Sequence, residues 1–195
     1  MKKLIINQQE FNGLISDICR QIHLSGWTPD YIVGITRGGL MPAVMISHYF
    51  NVPCETLKVS LRDGGEPESN LWMAEDALGY PKQERYIDNP IDVTGVLEAA
   101  NSLLEQGDTY KNILIVDDIN DSGATMNWIM NDWPSGCLPD DPSWEEVWNN
   151  NVKFAVVVDN LSSNCKVEMD FVGMEINKAE EDVWIEFPYE DWWKK

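Results

Sequence analysis

A chain of 195 residues with 33 acidic against 14 basic side chains, a net charge of −19, has room for one sizeable α/β domain with a small appendage, or at most two small domains. Its 44% of hydrophobic residues can build a proper core, which excludes global disorder, and no apolar run approaches the ~18 residues that a bilayer span needs. The acidic field argues against nucleic-acid partners and repels phosphate ligands equally, so any polyanion has to be bound locally, by backbone N–H groups, one or two placed cations and a metal ion.

The opening Met1-Lys2-Lys3-Leu4-Ile5-Ile6 mimics the charged start of an export signal, but Asn7-Gln8-Gln9-Glu10 ends the apolar run at once. It reads as a strand, which predicts a cytoplasmic protein. The four cysteines, Cys19, Cys54, Cys137 and Cys165, are far apart with no CxxC pair and read as reduced thiols. His23 and His48 sit in helix-like segments without metal-ligand spacing and read as structural.

Phe11, Leu14, Ile15, Ile18 and Ile22 recur at helical spacing, and Gly26 supplies the stop. Tyr31-Ile32-Val33-Gly34-Ile35 suits a buried strand. Leu40 to Phe50 reads as an apolar helix with Pro42 tolerable in its first turn, either buried within one subunit or serving a subunit interface. Glu55 to Leu61 reads as another strand. Residues 62–92 break the rhythm with Gly64-Gly65, Pro67, Pro81 and Pro90, and a loop of that length in a compact domain is functional or disordered. Thr94 to Gln106 reads as a helix closed by Gly107, and Ile113 to Val116 as a buried strand, with helix again from about Ala124. Trp133 to Asp141 reads as irregular, Ser143-Trp144-Glu145-Glu146 as a capping box on a short helix, and Val152 to Val158 as the last strongly buried strand. Weaker strands follow around Phe171 and Val183.

Buried strands alternating with helices predict a mostly parallel, twisted sheet covered on both faces. The tail after Leu161 reads as a small flap over the end of the sheet. The expectation is therefore a single domain over residues 1–195, with a core of about 1–160 and a hood of about 161–195.

The segment Ile113-Leu114-Ile115-Val116-Asp117-Asp118-Ile119-Asn120-Asp121-Ser122-Gly123-Ala124-Thr125 carries the functional argument. A buried strand runs into two carboxylates, then a small-residue loop, then a helix. Ligands of parallel α/β sheets bind beyond the carboxyl ends of the strands. Ser122 to Thr125 can present successive N–H groups at a helix N-terminus to a phosphate monoester, and Gly123 lets the backbone approach closely. Asp117 and Asp118 suit a sugar diol, or a hard cation held together with the ligand's own oxygens. Two adjacent aspartates alone would more often be an acidic strand end with an Asx turn and a helix cap; the whole string is much harder to explain that way.

That string resembles the phosphoribosyl pyrophosphate (PRPP) signature of type I phosphoribosyltransferases. The resemblance implies that Asp117 and Asp118 hold the ribose hydroxyls and help organise magnesium (Mg2+), that Asp121, Ser122, Gly123, Ala124 and Thr125 wrap the 5′-phosphate, and that Asp121 serves as general base near N7 of a purine. Ile32-Val33-Gly34-Ile35-Thr36-Arg37-Gly38-Gly39-Leu40 resembles the family's pyrophosphate loop, most closely in the bacterial xanthine–guanine branch. It implies diphosphate binding by Thr36, Arg37, Gly38 and Gly39, a catalytic role for Arg37, and a cis peptide bond at Thr36–Arg37. Val183-Trp184-Ile185-Glu186-Phe187-Pro188-Tyr189-Glu190 is similar to the base-binding tail of that branch, implying Trp184 as stacking platform and Ile185 as a backbone reader of the base; read alone, Trp184 serves equally well as a packing anchor.

One position departs from the pattern. Where purine-type members carry a lysine after the strand matching Val152–Val158, this chain has Asp159-Asn160, so Asn160 becomes the candidate base reader. The resemblance also implies a mobile loop over PRPP, to which Arg62, Lys82 or Arg85 could belong, and a homodimer. The activity expected is transfer of the 5-phosphoribosyl group from PRPP to a nucleobase, a 6-oxopurine foremost, giving a nucleoside monophosphate and pyrophosphate. A pyrimidine or other acceptor, or a non-catalytic PRPP or nucleotide sensor, stands as the alternative. A dinucleotide binder is disfavoured because no GxGxxG follows the first strand.

Overall fold

The computed structural model describes residues 2–59, 69–79 and 110–194. The helix expected at Thr94–Gln106 with its Gly107 stop, and the loop cations Arg62, Lys82 and Arg85, lie outside the described residues.

Strand β1 (Lys2–Ile5) leads into helix α1 (Gln8–Ser25) through a reciprocal cap. The Asn7 side chain accepts from the Glu10 backbone N–H, and the Glu10 carboxylate accepts from the Asn7 N–H at 2.9 Å. Both interactions satisfy helix-end donors that otherwise have no partner. Asn7→Ala should therefore cost about 1 kcal/mol, read as a lower urea midpoint at unchanged m-value. At the other end Gly26 adopts φ 74, the left-handed conformation a helix stop requires.

β2 (Tyr31–Ile35) and α2 (Leu40–Phe50) follow as expected, and β3 (Cys54–Leu57) begins one residue before the strand expected from Glu55 and ends at Leu57. The irregular reading of 62–92 is corrected in part, since Leu71–Leu78 forms helix α3, which buries Met73, Ala74 and Ala77 and ends at Gly79. β4 runs Ile113–Asn120, so both aspartates of the pair are still in the strand. Helix α4 (Ala124–Gly136) carries on past Trp133, another correction. Trp133 is fully buried and stacks on Trp148 with ring centroids 5.7 Å apart, and this packing keeps the last turn helical despite Pro134. The short α5 (Ser143–Glu146) exists without the expected capping box: Ser143 does not cap, and its N–H is satisfied by the Asp141 carboxylate at 2.9 Å. A π-helical turn (Val147–Asn151) feeds β5 (Val152–Asn160), followed by β6 (Phe171–Ile176) and β7 (Val183–Glu186).

Five strands form one parallel sheet in the order β3-β2-β4-β5-β6. Alternate residues of each inner strand point to opposite faces. Val33, Ile115, Val156 and their neighbours pack with α3, α4 and α5, while Ile32, Leu114, Val116 and Ala155 pack with α1 and α2. This is the expected α/β architecture, a parallel sheet with helices on both faces. β6 belongs to this main sheet, although it lies beyond residue 160; the smaller unit is the parallel pair β1–β7, joining the two ends of the described chain. On edge strand β6, Gln21 both donates to the Val172 carbonyl and accepts from its N–H, which blunts the open edge.

All four cysteines are free, with Cys19 and Cys137 buried. Among the described residues no helix is long and apolar enough to cross a membrane. The chain leaves β2 for β3 on one side and later returns to β4 on the other side of β2. That reversal makes a crevice beyond the carboxyl ends of β2 and β4.

Candidate active site

The crevice is a cleft of about 870 Å³ lined by Thr36–Gly38 after β2, Asp117–Met126 at the end of β4 and the start of α4, and Tyr189–Asp191 with Trp193 from the C-terminal segment. The expected phosphate-side residues Thr36, Arg37, Gly38, Asp117, Asp118, Asp121, Ser122, Gly123, Ala124 and Thr125 thus all face one space. Among the described lining residues Arg37 is the one cation.

The Thr36–Arg37 peptide bond is cis. Gly39 does not line the cleft; it lies buried behind the loop, where a Cβ would overlap the Val116 carbonyl and sit 2.9 Å from Asp117 Cα. At Gly38 a Cβ would overlap the Asp118 carboxylate. The glycine pair therefore lets the loop after β2 close onto the end of β4, and this closeness brings Arg37 and the two aspartates to one place. On the other side Gly123 has φ 81 and starts α4, whose first residues Ala124 to Met126 line the cleft.

Asp117 is buried and accepts from the Asp118 N–H at 2.9 Å. Burial pushes the Asp118 carboxyl above the usual carboxylate range, opposed by hydrogen bonds from its surroundings, the Tyr189 hydroxyl among them. The Tyr189 hydroxyl is itself driven well above an ordinary phenol, first by burial and then by the Asp118 charge.

Asp121 and Asn160 are joined in a way the sequence did not reveal. Asn160 is 5% exposed; its amide N–H donates to the Asp121 carbonyl at 2.8 Å, and its Oδ1 accepts from the Lys178 N–H at 3.0 Å and from Ser162. Asn160 thus acts as a clamp, with both ends of its amide engaged within the protein. The clamp holds the backbones of Asp121 and Lys178 side by side, and Lys178 Nζ lies 2.7 Å from Asp121 Oδ1. Lys178, from the turn after β6, is the residue that sequence reasoning missed: alone in Asn177-Lys178-Ala179-Glu180 it carries no motif.

Trp184 and Ile185 are not among the residues that line the cleft. Ile185 is buried in the core with Phe11, and Trp184, its neighbour on the opposite face of β7, is 44% exposed. The aromatic side chains on the cleft wall are Tyr189 and Trp193, among the described residues.

Among the described residues no group of three or more His, Cys, Asp or Glu side chains converges to hold a metal ion unaided. Asp117 and Asp118 supply adjacent hard oxygen donors on the cleft wall, a set that suits magnesium when the ligand's phosphate and hydroxyl oxygens complete the coordination.

The family model for the phosphoribosyl transferase domain matches residues 4–191. A purine phosphoribosyltransferase from Pyrococcus horikoshii Ot3 superposes with a TM-score of 0.58 at 20% identity, covering 98% of this chain and 96% of that one. The xanthine-guanine-hypoxanthine phosphoribosyltransferase of Helicobacter pylori gives 0.58 at 17% identity, with 97% and 95% covered. A hypothetical protein from Neisseria gonorrhoeae with bound ppGpp gives 0.54 at 20% identity, with 97% and 90% covered. No curated protein gives a significant sequence match. At such identities the superpositions speak for the fold; the family match spans nearly the whole sequence and takes in both loops that build the cleft, and on that ground the chain belongs to the phosphoribosyl transferase domain family, the family of PRPP-dependent phosphoribosyltransferases.

Proposed function

We propose that the protein transfers the 5-phosphoribosyl group of PRPP to a 6-oxopurine and releases pyrophosphate. The observation that carries the choice of acceptor is the Lys178–Asp121 pair, in which the Lys178 ammonium lies 2.7 Å from the carboxylate of Asp121, a residue of the cleft wall. A 6-oxopurine offers a carbonyl oxygen and a ring N–H on one edge, so one acceptor meets Lys178 and one donor meets Asp121. Adenine presents an amino group in place of the carbonyl, which sets donor against donor.

In this reading the N–H groups at the start of α4 hold the 5′-phosphate and Asp117 and Asp118 accept from the ribose hydroxyls. Thr36, Arg37 and Gly38, with Gly39 behind them, take the diphosphate, and the Arg37 guanidinium offsets its charge in an otherwise acidic cleft. Magnesium, held by Asp117 and Asp118 together with the substrate's oxygens, supplies Lewis-acid neutralisation of the leaving group when bound. The bond from C1 to the diphosphate oxygen breaks and its electron pair leaves with pyrophosphate. N9 of the base forms the new bond to C1 across an oxocarbenium-like transition state, and the N7 proton passes to the Asp121 carboxylate. Trp193, 64% exposed and part of the cleft lining, offers an aromatic face to the acceptor in place of Trp184.

Met41, Val44 and Tyr49 of α2 are each more than two-fifths exposed, which supports the homodimer reading.

The acceptor assignment is tested by Lys178→Met. It should raise KM for hypoxanthine about 10–30-fold, the loss expected for a hydrogen bond from a charged donor, while KM for PRPP stays within about twofold. A wild-type enzyme that uses adenine as readily as hypoxanthine, or a Lys178→Met variant with unchanged hypoxanthine kinetics, would count against it.

A further inference from the structure

Tyr189 has no part in the chemistry assigned above, yet its hydroxyl sits where the two phosphate-side loops meet. The ring is held from two directions: it stacks on Phe187 at 5.5 Å with an interplanar angle of 3°, and meets Phe11 edge-on at 5.6 Å. Phe11 and Phe187 are both buried and stand edge to face with each other. A ring packed this way has little freedom, so the position of its hydroxyl is set by the core rather than by solvent.

The hydroxyl oxygen lies 3.2 Å from the Gly38 carbonyl oxygen and 3.2 Å from Asp118 Oδ2. Both neighbours only accept, and a phenol has a single hydrogen, so the two acceptors share one donor. Gly38 has no side chain to intervene, and its α-carbon is packed so closely on the Asp118 carboxylate that a methyl group there would overlap it. The carboxylate is thus bounded by the loop after β2 on one side and by the phenol on the other.

We propose that Tyr189 is a positioning residue: its hydroxyl fixes the Asp118 carboxylate relative to the Gly38 carbonyl, and so presets the spacing between the group that receives the ribose and the loop that receives the diphosphate. This rests on the PRPP reading given above. PRPP must engage both places at once, and a donor that ties them together before binding lowers the ordering cost of that engagement. The C-terminal segment thereby acts on PRPP affinity through Asp118, without contact to PRPP by Tyr189 being required.

Tyr189→Phe keeps the ring and its packing and removes only the hydroxyl. Calorimetric titration of the full chain with PRPP and magnesium should show an affinity lower by about 5–10-fold, while the unliganded melting temperature and KM for the base change little. The double variant Tyr189→Phe/Asp118→Ala should bind PRPP no more weakly than Asp118→Ala alone, because the hydroxyl acts through that carboxylate. Wild-type binding of PRPP with equal binding by Tyr189→Phe overturns the positioning role alone, and so does a full additive loss in the double variant. A wild-type chain that does not bind PRPP overturns the PRPP reading and this inference together.

Discussion

Asp118→Asn should raise the melting temperature of the unliganded protein while weakening PRPP binding about 100-fold, the loss of two hydrogen bonds to a charged acceptor. The two effects have one origin. Burial lifts the Asp118 carboxyl above its ordinary range, so the folded state takes up a proton at this site more readily than the unfolded chain does. The stability that this group contributes is greatest below the unfolded carboxylate value of about 3.9, and is lost as pH rises through the raised folded value. At neutral pH the protein therefore holds a charge that its surroundings disfavour, and Asn removes the charge while its Oδ1 can still accept from Tyr189. The expected gain is a few degrees, about 2–4 °C per kcal/mol for a chain of this size. Thermal melts at pH 7.5 and pH 5 read it, and the gap between variant and wild type should narrow at the lower pH. A variant that melts lower than wild type at both pH values would mean that the carboxylate stabilises the fold.

Asp121→Ala should lower kcat by about 10²–10⁴-fold with KM for PRPP changed only a few-fold. The Asp121 backbone is held independently of its side chain, by the Asn160 amide at 2.8 Å, so the phosphate loop that follows keeps its place. What the variant loses is the partner of Lys178 and, in the proposed mechanism, the carboxylate that takes the base proton. The loss belongs in kcat because the proton moves in the bond-making step. Steady-state kinetics with PRPP and hypoxanthine varied separately distinguish this from a binding defect. A kcat within tenfold of wild type would remove Asp121 from the proton's path.

The parts of the fold that could be read from the sequence are those whose burial is complete. Tyr31–Ile35 and Ile113–Val116 are apolar throughout because both faces of an inner parallel strand are covered, and each is followed by its loop without interruption. α3 was hidden because the glycines and prolines of 62–92 outweigh a single eight-residue apolar segment. α4 runs past Trp133 because a tryptophan stack, formed with a residue fifteen positions later, overrides the turn chemistry of Pro134-Ser135-Gly136. That β1 pairs with β7 was not readable either, since nothing local specifies a partner at the other end of the chain.

The cleft divides in the same manner. The side proposed to bind the phosphates consists of two contiguous strings, each carrying its own strand, glycines and helix start. The acceptor side is assembled from separated residues. Asn160 looked like a reader because it ends a buried strand, but Ser162 and the Lys178 N–H donate to its Oδ1 while its amide N–H donates to the Asp121 carbonyl. Lys178 acquires its place only through that clamp, and the outward direction of Trp184 depends on Ile185 claiming the inward face of β7.

Pyrophosphate release from PRPP and magnesium, measured with xanthine, guanine, hypoxanthine, adenine, uracil and orotate in turn, separates a 6-oxopurine transferase from its alternatives. Turnover with the 6-oxopurines, and little or none with adenine or the pyrimidines, is the result predicted here. Release with uracil or orotate alone would move the acceptor to the pyrimidines, and tight PRPP binding without turnover on any base would contradict the transferase reading and leave a PRPP sensor in its place.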